Sequence, residues 1–200
     1  MNNKTIIIGT RNKDKLKEIK EILSDLQLNI LSLYDFPNIP YIVEDGTTLE
    51  ENAIIKAKKT FEATNIISIA EDTGLEIEYL GDIPGVFSAR FAGQGCSYSD
   101  NNRKVLELLK DVPYDQRKAK FRCIIAIAFT ENKIDVIEGR INGYIGFKEC
   151  GNTGFGYDPI FVVPEYGKTF AELGPEIKNK ISHRAKALEK LKKILLEVFK

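Results

Sequence analysis

The chain predicts an α/β fold, a mixed β-sheet flanked by helices, on two observations. Short apolar runs alternate with helix-period segments through the N-terminal part, the order that builds parallel strands joined by crossover helices. Further on, two long strand-like runs, Ala119–Thr130 and Lys133–Tyr144, are separated only by Glu131 and Asn132 and read as an antiparallel hairpin. A sheet that holds both kinds of pairing is mixed.

Thr5–Ile8 is a short buried strand that runs into Gly9-Thr10-Arg11-Asn12. The helix after it sets Leu16, Ile19, Ile22 and Leu23 on one face. Leu28–Leu33 is a second strand, followed by a loop punctuated by Pro37 and Pro40. Thr48, with Glu51 three residues on, forms a capping box. It opens a helix to about Ala63 that turns Leu49, Ala53, Ala57 and Phe61 to the core and carries Asn52 and Lys56 on its exposed side. Ile66–Ala70 and Leu75–Leu80 are strands on either side of an acidic break. Ser99 or Asp100 caps a helix through Lys110, and a last helix begins near His183, with Leu188, Leu191, Leu195 and Val198 buried.

Composition narrows the class. The 200 residues are 43% hydrophobic and 29% charged, which suits a globular chain with room for a sizeable core. Lys and Arg together equal Asp and Glu at 29 each, so net charge gives no reason to expect binding to duplex nucleic acid. Cys96, Cys123 and Cys150 form no CxxC pair and stand beside a single histidine, which argues against a zinc site and for reduced thiols. The apolar run after Met1-Asn2-Asn3-Lys4 is too short for a signal peptide, and no run reaches membrane-spanning length, so the expected compartment is the cytoplasm.

The stretch Ile69-Ala70-Glu71-Asp72-Thr73-Gly74-Leu75 carries the most chemistry: an apolar strand expected to end in two adjacent carboxylates and a glycine-marked break. Paired acids at a strand end are suited to holding a hard divalent cation against a phosphate. Glu44, in the loop before the second helix, is a further carboxylate for the same cation, and Lys56 a point charge for a phosphate oxygen; alternatively they are a loop acid and a surface lysine. Thr10, Arg11, Asn12, Lys13 and Lys15 surround a helix N-terminus that favours an anion, though Asn12 also serves as an ordinary N-cap and the lysines as a solvated face. Pro84–Phe91 is either a turn with core aromatics or a pocket wall.

In Gly154-Phe155-Gly156-Tyr157-Asp158-Pro159, two glycines let backbone approach a ligand, Phe155 offers a flat face to a nucleobase, and Asp158 accepts from ring nitrogens. The plain alternative is a glycine-rich turn over a buried ring. Lys178-Asn179-Lys180-Ile181-Ser182-His183-Arg184 opens the last helix with Ser182 as N-cap; His183 and Arg184 read carbonyls or phosphates, or are structural. Taken together, acids, phosphate binders, an aromatic face and polar readers point to an enzyme acting on a nucleoside phosphate.

These blocks resemble the inosine triphosphate pyrophosphatase family. The match runs from Thr10-Arg11-Asn12-x-x-Lys15 through Glu44-Asp45-Gly46, Glu51-Asn52-Ala53-x-x-Lys56-Ala57 and Glu71-Asp72-Thr73-Gly74-Leu75. It continues through Pro84-Gly85-Val86-Phe87-Ser88-Ala89-Arg90 and Gly154–Pro159 to Ile181-Ser182-His183-Arg184-Ala185. The resemblance implies an elongated mixed sheet with helices forming two lobes and a central cleft, residues 1–200 making a single domain. It implies Mg²⁺-dependent hydrolysis of ITP, dITP and XTP to monophosphate and pyrophosphate by a cytoplasmic homodimer with no nucleic-acid or membrane partner.

Carried over by position, Asp72 is the catalytic acid and a metal ligand, Glu44 the second metal acid, and Glu71 a third candidate. Thr10, Arg11, Asn12, Lys13, Lys15, Lys56 and Thr73 hold the triphosphate; Phe155, Gly156, Tyr157, Asp158, Lys178, His183 and Arg184 take base and sugar-phosphate. Selectivity for inosine needs donors aimed at O6, for which Arg184 and backbone N–H groups near Phe155 are the candidates. Two departures from the family pattern are Arg11, where glycine is frequent, and Glu71-Asp72-Thr73, where Asp-Asp-Ser is the frequent bacterial form.

Overall fold

A computed structural model describes residues Lys4–Lys200; Met1–Asn3, where the stretch read against a signal peptide begins, lie outside the described residues. In chain order the elements are β1 (Thr5–Ile8), α1 (Lys13–Ile22), β2 (Asn29–Ser32), α2 (Leu49–Thr64), β3 (Ser68–Ile77) and β4 (Ile83–Pro84). There follow α3 (Tyr98–Leu108), β5 (Lys118–Thr130), β6 (Lys133–Ile145), β7 (Phe161–Val163), β8 (Lys168–Thr169), α4 (Phe170–Ile181) and α5 (His183–Val198). Strands hydrogen-bond in the order β2-β1-β3-β5-β6-β7-β8, with β4 on β3. The β1–β2 and β1–β3 pairs are parallel, while β3–β4, β6–β7 and β7–β8 are antiparallel, so the sheet is mixed as predicted.

The chain divides into two compact units. The first comprises Met1–Asp72, Cys123–Gly139 and Arg184–Lys200. Its core joins Ile6 and Ile8 of β1, Ile19 of α1, Ile69 of β3, Cys123, Ile125 and Ile127 of β5, and Leu188, Leu191 and Leu195 of α5. The second comprises Thr73–Arg122 and Arg140–His183. Its core gathers Leu75 and Ile77 of β3, Val105 of α3, Phe121 of β5, Ile141 and Ile145 of β6, and Phe161 and Phe170.

Several expectations are corrected. The acidic stretch is not a strand end: β3 runs unbroken from Ser68 to Ile77, because Gly74 keeps extended backbone and both carboxylates find buried cations. Asn52 and Lys56 are not on an exposed face of α2 but buried, at 0% and 7% exposure, while Phe61 is only half-buried. The Thr48–Glu51 capping box forms as read. For α3 the cap is Ser97, not Ser99, and Asp100 is its reciprocal partner. Lys178–Ile181 do not open the last helix; they end α4, an element the sequence pattern hid because Gly174 (φ 76°) and Pro175 interrupt it. Val198, expected to be buried, is exposed at the C-terminal end of α5.

A buried guanidinium organises the second unit. Arg117, 1% exposed, donates to the carbonyls of Ile145 (2.9 Å), Leu109 (2.7 Å), Val112 (3.3 Å) and Gly146 (2.6 Å). It thereby ties the end of α3 to the start of β5 and the end of β6. Arg117→Ala, which leaves those carbonyls unsatisfied beside a cavity, is expected to cost at least about 3 kcal/mol in denaturant unfolding.

Candidate active site

In the first unit, α2 and β3 bring together the side chains read as metal and phosphate ligands. Ala53 and Ala57, both 0% exposed, let α2 pack closely, and the helical period then turns Asn52 and Lys56 inward. Lys56 Nζ bridges two carboxylates, Glu44 Oε2 at 3.1 Å and Asp72 Oδ1 at 2.9 Å. Asn52 accepts the Gly46 N–H at 2.9 Å through Oδ1 and points its amide at Asp72 Oδ2, 3.5 Å away. The loop carrying Glu44 is therefore fastened to the same helix that faces Asp72.

Strand pleating sends the neighbouring Glu71 to the opposite face. There Arg184 donates from Nε to Oε2 (2.7 Å) and from Nη2 to Oε1 (2.8 Å), while Lys15 Nζ lies 3.1 Å from Oε1. Arg184 spends Nη1 on Glu18 Oε2, and Cys123 Sγ approaches Glu71 Oε2 at 3.5 Å. Burial would raise the Glu71 carboxyl, but Arg184 and Lys15 beside it hold it well below the carboxylate range. Against the same burial, Glu71 and Asp72 raise Lys15, and Glu71 with Glu18 raises Arg184. Glu71, Lys15 and Arg184 stay charged at neutral pH.

The loop between β1 and α1 serves itself first. Asn12 is the N-cap, accepting the Lys15 N–H at 3.0 Å, and Thr10 Oγ1 accepts the Asn12 N–H at 3.1 Å. Arg11 reaches the Ile39 carbonyl at 2.6 Å and offers its own carbonyl to the Tyr34 hydroxyl at 2.7 Å. It braces the proline-marked loop. Lys13 points to solvent.

The second unit assembles the aromatic face. Asp158, 2% exposed, accepts the Phe155 N–H at 2.8 Å and the Lys178 ammonium on the same oxygen. Lys178 Nζ also lies 4.4 Å from the centre of the half-buried Phe155 ring, and Tyr98 flanks that ring at 5.9 Å. Gly154 is required here: its φ is 77°, and a Cβ would strike Asp158 Oδ2. Tyr157 is buried and donates to the Ser88 carbonyl at 2.8 Å, while Gly156 adopts φ 63° beside it. His183, 3% exposed, stacks on Phe121 with centroids 4.5 Å apart. Thr73 is half-buried on β3.

Three clusters thus form: Glu44, Lys56 and Asp72; Lys15, Glu71 and Arg184; Phe155, Asp158 and Lys178. Side chains that complete them went unassigned in the sequence. Asn52 stands one turn before Lys56, a spacing that held the signal, and Glu18 follows Lys15 by three residues on α1. Tyr98 gave none.

The model of the Ham1 family matches residues 6–194 of the chain. The chain belongs to the Ham1 family. Among relatives, a dITP/XTP pyrophosphatase of Thermoanaerobacter sp. (strain X514) is 49% identical, over 96% of this chain and 96% of its own. One of the same description from Desulforamulus reducens is 46% identical over 97% and 96%. Among solved structures, a HAM1 protein from Coxiella burnetii superposes with a TM-score of 0.89 at 42% identity, covering 96% of this chain and 98% of that one. The Ham1 protein of Staphylococcus aureus gives 0.86 at 37%, covering 98% and 100%.

For this Ham1-family chain, the Glu71 geometry sets a pH dependence. Its carboxyl titrates lower folded than unfolded, so the unfolded chain takes up the proton first and stability falls as pH drops below the ordinary value of 4.5. Glu71→Gln is expected to cost about 3–5 kcal/mol at pH 7, by stranding buried cations. The gap to wild type should narrow as pH falls below that value, in urea unfolding across the acid range. A gap that does not change with pH would refute the assignment.

Proposed function

We propose that this chain hydrolyses dITP, XTP and ITP to the monophosphate and pyrophosphate, removing non-standard purines from the nucleotide pool. The observation that carries the proposal is the convergence of Glu44 and Asp72 on one buried ammonium, in a Ham1-family chain whose relatives are described as dITP/XTP pyrophosphatases. Residues 1–200 act as one two-lobed catalytic domain, in a cytoplasmic homodimer without nucleic-acid or membrane partners. Among the described residues, no helix is long and apolar enough to cross a membrane.

The donor set fits Mg²⁺. Glu44 and Asp72 supply hard carboxylate oxygens, and among the described residues no group of three or more His, Cys, Asp and Glu side chains is arranged to hold a metal. Two carboxylates completed by substrate phosphates and water is the usual way Mg²⁺ is held. When bound, the ion neutralises phosphate charge and acidifies water. Asp72 orients the attacking water and accepts its proton, being the acid left over once Glu71 is committed to Arg184 and Lys15.

Lys15, Lys56, Thr10, Asn12 and Thr73 receive the triphosphate, with Arg11 and Lys13 at its margin. Phe155 stacks on the purine, and Asp158 holds Lys178 beside the ring, where the ammonium can donate to a 6-keto oxygen but meets only another donor in adenine. Arg184, expected to aim at O6, is 1% exposed and directs Nε, Nη1 and Nη2 at Glu71 and Glu18, so it positions Glu71 and leaves the 6-keto contact to Lys178, while His183, Gly156 and Tyr157 set the base loop.

Asp72→Asn is expected to abolish pyrophosphate release while nucleotide binding persists, measured by phosphate assay and by calorimetry; substantial residual turnover would move the base to another acid. Phe155→Ala should raise KM for dITP by roughly one to two orders of magnitude, the loss of about 1–3 kcal/mol of stacking. The proposal as a whole is tested on a panel of dITP, XTP, ITP, dUTP, dTTP and the four common ribonucleotides, with and without EDTA. Preference for any of the four common ribonucleotides, GTP included, or for a pyrimidine would overturn it.

A further inference from the structure

The proposed function leaves a conflict at Lys56. Its ammonium sits 3.1 Å from Glu44 Oε2 and 2.9 Å from Asp72 Oδ1, the same carboxylates assigned to the divalent cation. The stem has little freedom: Lys56 is 7% exposed, and Ala53 and Ala57, both fully buried, fix the helix on either side of it. A divalent ion drawn to both carboxylates would stand within a few ångströms of that ammonium. In a partly desolvated pocket, such like charges repel by far more than thermal energy. The ammonium must withdraw, and withdrawal strands a buried cation unless another anion receives it.

We propose that Lys56 makes metal binding conditional on the nucleotide. The ammonium competes with the divalent cation for Glu44 and Asp72, and a substrate phosphate draws it off, so that metal and nucleotide bind cooperatively. Asn52 supports the exchange by holding Asp72 and the Glu44 loop in place through its own contacts, which do not involve Lys56. With only two acids available among the described residues, the cation has no third carboxylate to outbid the ammonium. The consequence is that little metal is held at the water-activating acid until a phosphate chain is present. Linkage makes the coupling reciprocal: whatever factor the nucleotide adds to metal affinity, the metal adds to nucleotide affinity.

The inference rests on the proposed metal site and is read without turnover. Mn²⁺ binding to the full chain is followed by electron paramagnetic resonance, alone and with an α,β-imido analogue of dITP. In Lys56→Met, Mn²⁺ alone should bind about 10-fold or more tightly than to wild type, and the gain from the analogue should shrink correspondingly. Lys56→Arg, which keeps a cation at the site, should retain weak metal binding in the free enzyme. Circular dichroism establishes that each variant is folded. Should Lys56→Met not fold, wild type alone is decisive, since analogue-free Mn²⁺ affinity equal to that with analogue would overturn the proposal. Mn²⁺ affinity in folded Lys56→Met equal to or below wild type would overturn it too. Failure of the wild type to release pyrophosphate from dITP with Mg²⁺ would instead count against the proposed function.

Discussion

The first unit's share of the site depends on two acids standing at consecutive positions in the middle of a buried strand. Neighbouring residues of β3 face opposite sides of the sheet, so Glu71 and Asp72 form their ion pairs with different cations, and both are largely buried. Each must therefore recruit its own cation. Glu71 takes Arg184 from α5 and Lys15 from α1, while Asp72 takes Lys56 from α2. Three helices of the first unit are anchored to one strand by that demand. Fixing where α1 starts also fixes the loop that precedes it, and fixing α2 places Asn52 against the Glu44 loop.

The two acids are thereby separated in role by packing. Glu71 is saturated: Arg184 meets both its oxygens, Lys15 adds a second cation, and its carboxyl is held well below the usual range. Such a group contributes rigidity and is a poor acceptor for a proton. Asp72 keeps one lysine and one long contact from an amide. Of adjacent carboxylates, the less tightly engaged one is the one able to exchange partners during a reaction. The second unit solves a comparable problem differently: Asp158 and Lys178 neutralise each other, and the lysine is shared with the face of Phe155. Arg117 shows a third solution, in which a buried cation is satisfied by four carbonyls and the face of Phe147.

Much of this was legible in the sequence, for identifiable reasons. The capping box at Thr48, the apolar run of β1 and the hairpin over β5 and β6 are local signals, and the structure follows each of them. What was not legible depends on partners distant in sequence. Two acids beside a glycine look like a strand end, and only Arg184, 113 positions away, explains why the strand continues. Asn52 and Lys56 look like the solvated side of α2, since polar residues at that spacing normally are; the acids of β3 and the Glu44 loop turn that side inward. Helix α4 escaped notice because Gly174 and Pro175 break the period on which a helix is recognised. The family motifs nominated candidate residues, but could not say that Arg184 and Lys15 are held by Glu71.

Charge balance in the first unit explains why such a cluster should be metastable toward ligand. Lys15, Lys56 and Arg184 face Glu18, Glu44, Glu71 and Asp72, leaving a deficit of one positive charge. A divalent cation arriving alone would overshoot that deficit, and a triphosphate arriving alone would deepen it. Arriving together, the polyphosphate and its metal supply opposite charges to the same small region, and each lowers the cost of the other. The Glu71–Arg184–Glu18 part of the cluster has no reason to rearrange, because its ions are closely paired and buried. The Asp72 half does, because its lysine has an alternative anion in the substrate. A tightly matched ion network therefore stands next to a more loosely engaged one, separated by a single step along β3.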